Sequence, residues 1–581
     1  MTTGELKRSV TETVQRELAE AQTHVDPRVT ERESKVEDLG IDPRFMPELQ
    51  TLYGKGQALM DFDPGPDLFG QQTRRVRIGL ERVVKSTVAN NSELEFARLA
   101  PAIAQARIVQ AEAVFDWTLF SSFDYTKTDQ PQTAPTIGAT PVGLGATVSD
   151  RTSGSIGLRR TLVSGGEFTI EHDMIYTDVM TPGLSTAPNP ARELNFLLRV
   201  DQPLLRGFGS DITQAQIRLE RNAERDSIAE LERQLSNKVT EVEQNYWQLV
   251  LAHRRLQIAE RNLERGVEVR DTLQKRLEAR LRVTQAEVAE AEARVAQRRT
   301  ALIQAQRDFR LASDRIKAEM NDPELPIGSS VLLVPDDAPL DEPIEFSLAD
   351  LLLTAFDRRP ELRQAVLSID DTSIRLLASK NNLLPRLDLR AQVSWAALAD
   401  DYGDAYDQLY EGQFVDYLLG LQFEYALGNR SAEAQVRQRT LERMQAVEAY
   451  KNAVQDVTLD VVTSLVDVLI DYQLIGEARK SKVAAAESLR TLNVQLDKTR
   501  QLDVNNLNLA LQRQDQLAEA ERTEASALAS YNNSIAGLYR SIGTALDRNR
   551  IDFVVPDVLS DGRRVRGKAE RVYERNQRLD R

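Results

Sequence analysis

The 581-residue chain contains no cysteine. Disulfides, thiolate metal sites, cysteine nucleophiles and a thiol-linked lipid anchor are thereby excluded. Histidine is nearly absent as well: His24, His172 and His253 lie far apart, and none has a metal-ligand spacing. No run of eighteen apolar residues occurs, so no transmembrane helix is expected. An excess of basic charge is missing too. The formal net charge is −15, and phosphate binding needs a basic footprint, so no nucleic-acid partner is expected. Carboxylates are abundant, yet no pair stands out as acid and base. No glycine loop has the spacing of a phosphate cradle; Gly207-Phe-Gly209 reads as a turn. No catalytic residue, metal or cofactor is assigned, and an enzyme is not expected.

What the chain does have is helix. Ser210 to Asp322 is charged, without proline, and carries apolar residues at helical spacing: Ile217, Ile228, Leu231, Leu235, Val239, Val242 and Leu249, then Val288, Val295, Leu302 and Phe309. This reads as two helical arms with a break at Leu281–Thr284. An arm of ~70 residues is ~105 Å long, too long for an ordinary core, so it must pack against similar helices.

The same stretch occurs twice. Ala215-Gln216-Ile217 matches Ala434-Gln435-Val436, an offset of 219 (434 − 215). At that offset Val242 meets Val461, Leu249 meets Val468, Leu251 meets Ile470, Ala259 meets Ala478, Leu273 meets Leu492, Leu277 meets Leu496, Val288 meets Leu507 and Ile316 meets Ile535. One residue of slip would rotate a helical face by ~100°, so the shared register indicates duplication. Upstream, the segment from Leu80 matches that from Leu348 at an offset of 268 (362 − 94). The 49-residue change of offset predicts an insertion in the first repeat.

Between these blocks the period falls to two. Leu387, Leu389, Ala391, Val393 and Trp395 alternate with Arg386, Asp388, Arg390, Gln392 and Ser394. Val415, Tyr417, Leu419, Leu421, Phe423 and Tyr425 alternate with Asp416, Gly420, Gln422 and Glu424. Trp117–Lys127 and Asn195–Gln202 are the equivalent strands of the first repeat. The insertion carries Ile156–Leu162 and Phe168–Thr177 around a tight Ser164-Gly165-Gly166 turn. Strands of ~9–11 residues with one apolar face fit a membrane β-wall. Segments 128–153, 178–192 and the acidic 400–412 read as long loops. Half-buried strands of a soluble sheet are the plainer alternative.

The predicted organisation is therefore a charged, partly irregular leader (1–73, with a helix at Glu5–Gln22), a first repeat (74–322), a connector with one short strand (323–345), a second repeat (346–550) and a charged tail (551–581). The first repeat holds a helix over Arg77–Asp116, strands within 117–202 including the inserted hairpin 155–177, and the helical hairpin 210–322. The second holds strands at about 386–396 and 414–426 and the hairpin 430–546. The opening Met1–Lys7 lacks the basic and apolar regions of a signal peptide, which alone points to the cytoplasm.

This duplicated order, with Gln202-Pro-Leu-Leu-Arg-Gly-Phe-Gly209 and Leu427-Gly-Asn-Arg430 closing the strands, resembles the TolC-like outer-membrane efflux and secretion channels, the outer membrane factors. The resemblance runs from about Arg74 to about Arg550. It implies a mainly α fold with membrane β: long helical hairpins forming a tunnel, and strands contributed to one barrel shared by a homotrimer. It implies a passive conduit in the outer membrane, its tunnel in the periplasm, opened by a periplasmic adaptor (membrane fusion) protein and an inner-membrane pump or exporter. Export then calls for a leader upstream of Met1. Leu387, Leu389, Val393, Trp395, Tyr417, Leu419, Leu421, Phe423 and Tyr425 would face lipid. Leu281, Arg282, Val283 and Thr284, with Arg500, Gln501, Leu502 and Asp503, would form the tips that meet the adaptor. Leu281 and Arg500 stand where relatives often have glycine. Glu287, Glu290, Asn506 and Leu509 would line the aperture; Asn506 and Leu509 replace the acids of relatives. Twelve strands per trimer follow if the insert projects outward, eighteen if it joins the wall, and we favour eighteen. The alternative is a cytoplasmic or periplasmic coiled-coil scaffold or adaptor: a scaffold leaves the paired amphipathic strands unexplained, and an adaptor carries one such hairpin per chain where this chain has two.

Overall fold

A computed structural model describes residues 39–53, 73–131, 136–137, 140–141, 146–181, 184, 186–280, 283–499 and 504–553. Its elements, in order, are α1 (Met46–Tyr53), β1 (Arg74–Ile78), α2 (Leu80–Asn90), α3 (Ser92–Ala97), α4 (Leu99–Glu112), β2 (Thr118–Pro131), β3 (Ala146–Thr161), β4 (Glu167–Val179), β5 (Ala191–Pro203), α5 (Ala215–Glu278), α6 (Gln285–Met320), β6 (Val331–Pro335), α7 (Leu348–Arg358), α8 (Pro360–Asn381), β7 (Arg386–Ala399), α9 (Tyr402–Glu411), β8 (Phe414–Glu424), α10 (Arg430–Thr499) and α11 (Val504–Ser541).

The duplication is visible element by element. α6 and α11 begin 219 residues apart, and α2 and α7 begin 268 apart, as do β2 and β7. Val242 and Val461, Leu249 and Val468, and Ile316 and Ile535 are all buried. Leu251 and Ile470 break the symmetry: the first is buried, the second exposed. The insertion is the β3–β4 hairpin, and it lies within the sheet.

The chain forms two compact units, and each draws on both repeats. One comprises Ser227–Ala365 with the described residues up to Ala102 and from Tyr450 on. Its main core gathers β1, β6 and α2 against α5 and α6. Tyr246, Leu249, Leu256, Phe309, Ile316 and Leu333 are fully buried there. β1 and β6 pair in parallel, with Val76 opposite Leu333. The Tyr246 hydroxyl donates to Asp337 at 2.8 Å, and burial pushes its pKa up. The same Asp337 oxygen caps α2, accepting from the Leu80 amide at 2.6 Å. Tyr246 and Trp247 pack edge to face in this core, with ring centroids 5.5 Å apart.

The other unit comprises Ile103–Asp226 and Val366–Ala449. It holds a six-stranded antiparallel sheet in the order β8-β7-β5-β4-β3-β2. The inserted hairpin separates β2 from β5, which would otherwise pair as β7 and β8 do.

Several expectations change. The strands are 11 to 16 residues long rather than 9 to 11, because pairing continues outward into 128–131 and 146–153. Segment 400–412 holds a helix, α9, whose Asp401 side chain caps it at the Asp404 amide (3.0 Å) and whose Gly412 ends it at φ +64°. Arg77–Asp116 is not one helix: Arg77 and Ile78 are in β1, and Asn91 caps a new start at α3. The leader, expected to be extended or irregular outside Glu5–Gln22, also holds α1, a helix docked on the arms. The expected helix Glu5–Gln22 and the tail from residue 554 lie outside the described residues.

His253 sits in the α5–α6 core with its ring centroid 5.2 Å from that of Phe309. Burial, and secondarily Arg254, lowers its pKa from the usual 6.5 to about 4. The unfolded chain then binds a proton before the folded one. The stability this confers is complete above pH 6.5 and is lost as pH falls through 4, on the order of 3 kcal/mol in all. The difference in melting midpoint between the native chain and His253→Gln should therefore shift against the native chain from pH 7 to pH 4, as read by circular dichroism in detergent.

Candidate functional site: the strand wall and the helical arms

The register of the sheet sorts its side chains into two faces. One row across all six strands reads Leu119, Leu158, Ile170, Leu198, Val393, Tyr417. The adjacent row, one residue along, reads Thr118, Arg159, Thr169, Arg199, Gln392, Leu418. Alternation on a pleated sheet sends the first row to one side and the second to the other. The first row is oily from edge to edge, with Arg160, His172 and Arg192 in other rows of its side; the second side is laced with charge, as in Arg390–Asp201 at 2.6 Å.

The nine residues expected to face lipid all fall on or just beyond the apolar side. Leu387, Leu389, Val393 and Trp395 stand opposite Phe423, Leu421, Tyr417 and Val415, and Ala391 stands opposite Leu419. Tyr425 follows the end of β8. Tyr417 and Leu419 are each 79% exposed. Trp395 meets Phe196 with ring centroids 5.7 Å apart. Both sheet edges are open and apolar. β8 carries Tyr417, Leu419, Leu421 and Phe423, and β2 carries Leu119, Phe123 and Tyr125, all exposed.

α9, unforeseen from sequence, lies on the apolar side beyond Trp395. Ala405 packs on Leu194, Ala397 and Ala399, and the Tyr406 hydroxyl is 3.1 Å from His172 Nε2. The opposite end of the sheet is tied to the turn that opens the helical arm. The Gly209 amide donates to the Ser164 carbonyl at 3.0 Å, and the Thr213 hydroxyl to the Val163 carbonyl at 2.6 Å. The tight Ser164–Gly166 turn therefore sits at the helix-bearing end.

Two arms of 64 and 70 residues, α5 and α10, each return through a shorter one, α6 or α11. The seam between hairpins is charged. Arg298, buried, donates to the carbonyl of Asn262 (2.8 Å), to Gln514 (2.9 Å) and to Asp515 (3.1 Å). Gly266 makes room for it: a β-carbon there would come within 2.9 Å of its guanidinium. Gly266 is the lone glycine of Ser210–Asp322, a signal of close approach that the sequence reading missed. Arg261 reaches the buried Glu521 at 2.5 Å. Burial raises the Glu521 pKa against the opposing pull of Arg261 and Arg265.

At the tips, Leu281, Arg282 and Arg500 to Asp503 lie outside the described residues. Val283 packs beside Leu273, Val288 and Ala291. Thr284 opens α6 with a capping box: the Glu287 carboxylate accepts from the Thr284 amide at 2.5 Å, and the Thr284 hydroxyl accepts from the Glu287 amide. Glu287 is buried, so its charge is committed to the helix start. Glu290 is exposed and accepts from Asn508 across the hairpins at 3.3 Å. Asn506 and Leu509 are half-buried. On α10, Asp460 is held by Arg359 and Arg540, Asp471 accepts from Ser534, and Asp467 is exposed, so the three do not form one free acidic stripe. Asp400, Asp401 and Asp404 cluster, exposed, where Asp401 caps α9. Among the described residues no helix is long and apolar enough to cross a membrane.

No family model matches the sequence, and no curated protein matches it. Solved structures do match. The outer-membrane channel OprN superposes with a TM-score of 0.58 at 18% identity, over 80% of this chain and 90% of its own. The CmeC outer membrane channel of Campylobacter jejuni gives 0.56 at 15%, over 80% and 86%. The MtrE outer membrane channel of Neisseria gonorrhoeae, in its open state, gives 0.55 at 15%, over 80% and 89%. The chain has the fold of the TolC-like outer-membrane channels. Within that fold, the six-stranded sheet of this TolC-like chain contains one strand pair per repeat plus the inserted hairpin.

The Gly165 turn tests how the sheet is anchored. Gly165 has φ +93°, and a β-carbon would lie 2.2 Å from the Gly207 carbonyl oxygen. Gly165→Ala should cost at least ~1 kcal/mol from the left-handed backbone alone, with backbone displacement added. Its melting midpoint in detergent should fall by several degrees, whereas Gly209→Ala, with open space around it, should fall less.

Proposed function

We propose that three copies of this chain form a passive channel through the outer membrane for efflux or secretion. The observation that carries this reading is the pair of adjacent rows, one apolar across all six strands and one polar across five of them up to Leu418 on β8, ending in two open edges. Five successive antiparallel pairings make β2 and β8 run in opposite directions. The β8 edge of one copy can therefore pair antiparallel with the β2 edge of the next, and a ring of copies leaves no edge. Six strands from each of three copies make eighteen, a size that encloses an aqueous lumen. From Leu387 to Trp395 the oily stretch is about 27 Å along the strand. At a tilt near 40° that is roughly 21 Å of height, against an outward apolar band of ~25 Å in outer-membrane barrels. The apolar side faces lipid and the charged side water.

The arms support the same assembly. α10 exposes Leu459, Val466, Ile470 and Leu474, and α6 exposes Ile303 and Leu311. These stripes are the seams at which arms of neighbouring copies pack. The copies' arms enclose water as a tunnel. Its tips, with Val283, Thr284 and the flanking Leu281, Arg282 and Arg500 to Asp503, meet a periplasmic adaptor and an inner-membrane transporter. Glu290, Asn506 and Leu509 border the aperture, with Glu287 holding the turn behind them. The chain carries no chemistry of its own in this role.

Purified protein in planar bilayers should give discrete, stable pores; silence from folded trimers would overturn the channel reading. Leu421→Arg, placed on the lipid side, should cost ~2–4 kcal/mol near the bilayer midplane and sharply reduce membrane insertion. Leu459→Arg/Ile470→Arg should convert trimers to monomers on native gels. Persistence of trimers would show that α10 is not the seam.

A further inference from the structure

Leu39–Tyr53 lies across three of the arm helices, and we propose that it is a latch holding the two helical hairpins together in the resting channel. Leu49, fully buried, inserts among Val483, Ala486 and Leu489 of α10 and Leu517 of α11. Around this anchor the contacts are charged and directional. The Arg490 guanidinium lies 3.9 Å from the Phe45 ring centroid and 3.6 Å from Glu48. The Lys482 ammonium sits 4.5 Å over the Tyr53 ring. Arg265 of α5 donates to the Leu52 carbonyl, and the same guanidinium is 3.7 Å from Glu521 of α11.

The segment therefore grips both hairpins: α5 through Arg265, and α10 with α11 through Leu49 and the two cations. Sliding or splaying one hairpin against the other must break the Arg265 contact or withdraw Leu49. The grip is also well placed for leverage. Arg490 is nine residues before the end of α10 at Thr499, about 14 Å along the helix. Arg265 is thirteen residues before the end of α5 at Glu278, about 20 Å. A constraint near the far end of a long rod restrains its tip more than one near its root.

Its contacts are of the releasable kind. Leu49 is the one fully buried anchor, with Leu39, Ile41, Met46, Leu52 and Tyr53 half-buried around it; two cation–ring contacts, the Arg265 hydrogen bond and an ion pair exposed on its Glu48 side complete the grip on fifteen residues, a far smaller hold than the cores of the hairpins themselves. The inference rests on the channel reading, because what the latch gates is the water path between the arms.

The absence of cysteine allows a direct test. Glu48→Cys/Arg490→Cys, in the full chain, can be joined by a short reducible bis-methanethiosulfonate. Joined trimers in planar bilayers should open less often than the native protein, and reductant should reverse this. Leu49→Asp should raise open probability at least threefold and speed amide exchange over residues 479–492 about tenfold. Equal open probability for joined, reduced and Leu49→Asp trimers would overturn the latch. Should Leu49→Asp fail to assemble, the joined and reduced pair decides alone. Pores absent from the native protein as well would instead sink the channel reading. Exchange that rises in a protein without pores would reduce the segment to packing and end its gating role.

Discussion

An unpaired backbone cannot sit in hydrocarbon. Each amide or carbonyl left without a partner there costs several kcal/mol. The sheet of this chain has such a backbone along two edges, β2 and β8, and its apolar side shuns water as well. One copy can satisfy neither requirement. In the proposed assembly, further copies extend the sheet and close it, which covers both edges and turns the oily rows to lipid. On that proposal, oligomerisation completes the fold.

The inserted hairpin changes the size of the result. Without β3 and β4, each copy would bring one strand pair per repeat. With them it brings six strands, and the added pair carries the same alternation as its neighbours, with Leu158 and Ile170 in the row of Leu198 and Val393. The insert widens the wall and leaves its two-sided character intact.

The arms face the same problem in another form. Helices of 64 and 70 residues cannot be covered by a single globular core. Within the chain their seam is set by buried charge, Arg298 with Asp515 and Arg261 with Glu521, where leaving one partner alone would be far costlier than keeping both. Such pairs are poor glue but good registers: a one-residue slip strands a charge. Oily stripes on α6 and α10 stay exposed, the seams of the proposed assembly, and the proposed latch would add a weaker hold near the tips.

Much of this was legible from the chain itself, because periodicity and repetition are local. Helical spacing from Ile217 to Phe309, alternation from Leu387 to Trp395, and the two offsets that differ by 49 residues determined the arms, the strand faces and the insert. Other features were decided only by tertiary structure. Strand length depends on how far a partner continues to pair, so β2 and β3 run beyond their own apolar pattern. α9 exists because Ala405 and Tyr406 find Leu194 and His172 on a sheet that the sequence of 400–412 does not contain. Leu49 looked like one apolar residue in a charged leader until Val483 and Leu517, over four hundred residues away, surrounded it. Patterns that repeat along the chain are written by neighbours in sequence; these others depend on neighbours in space.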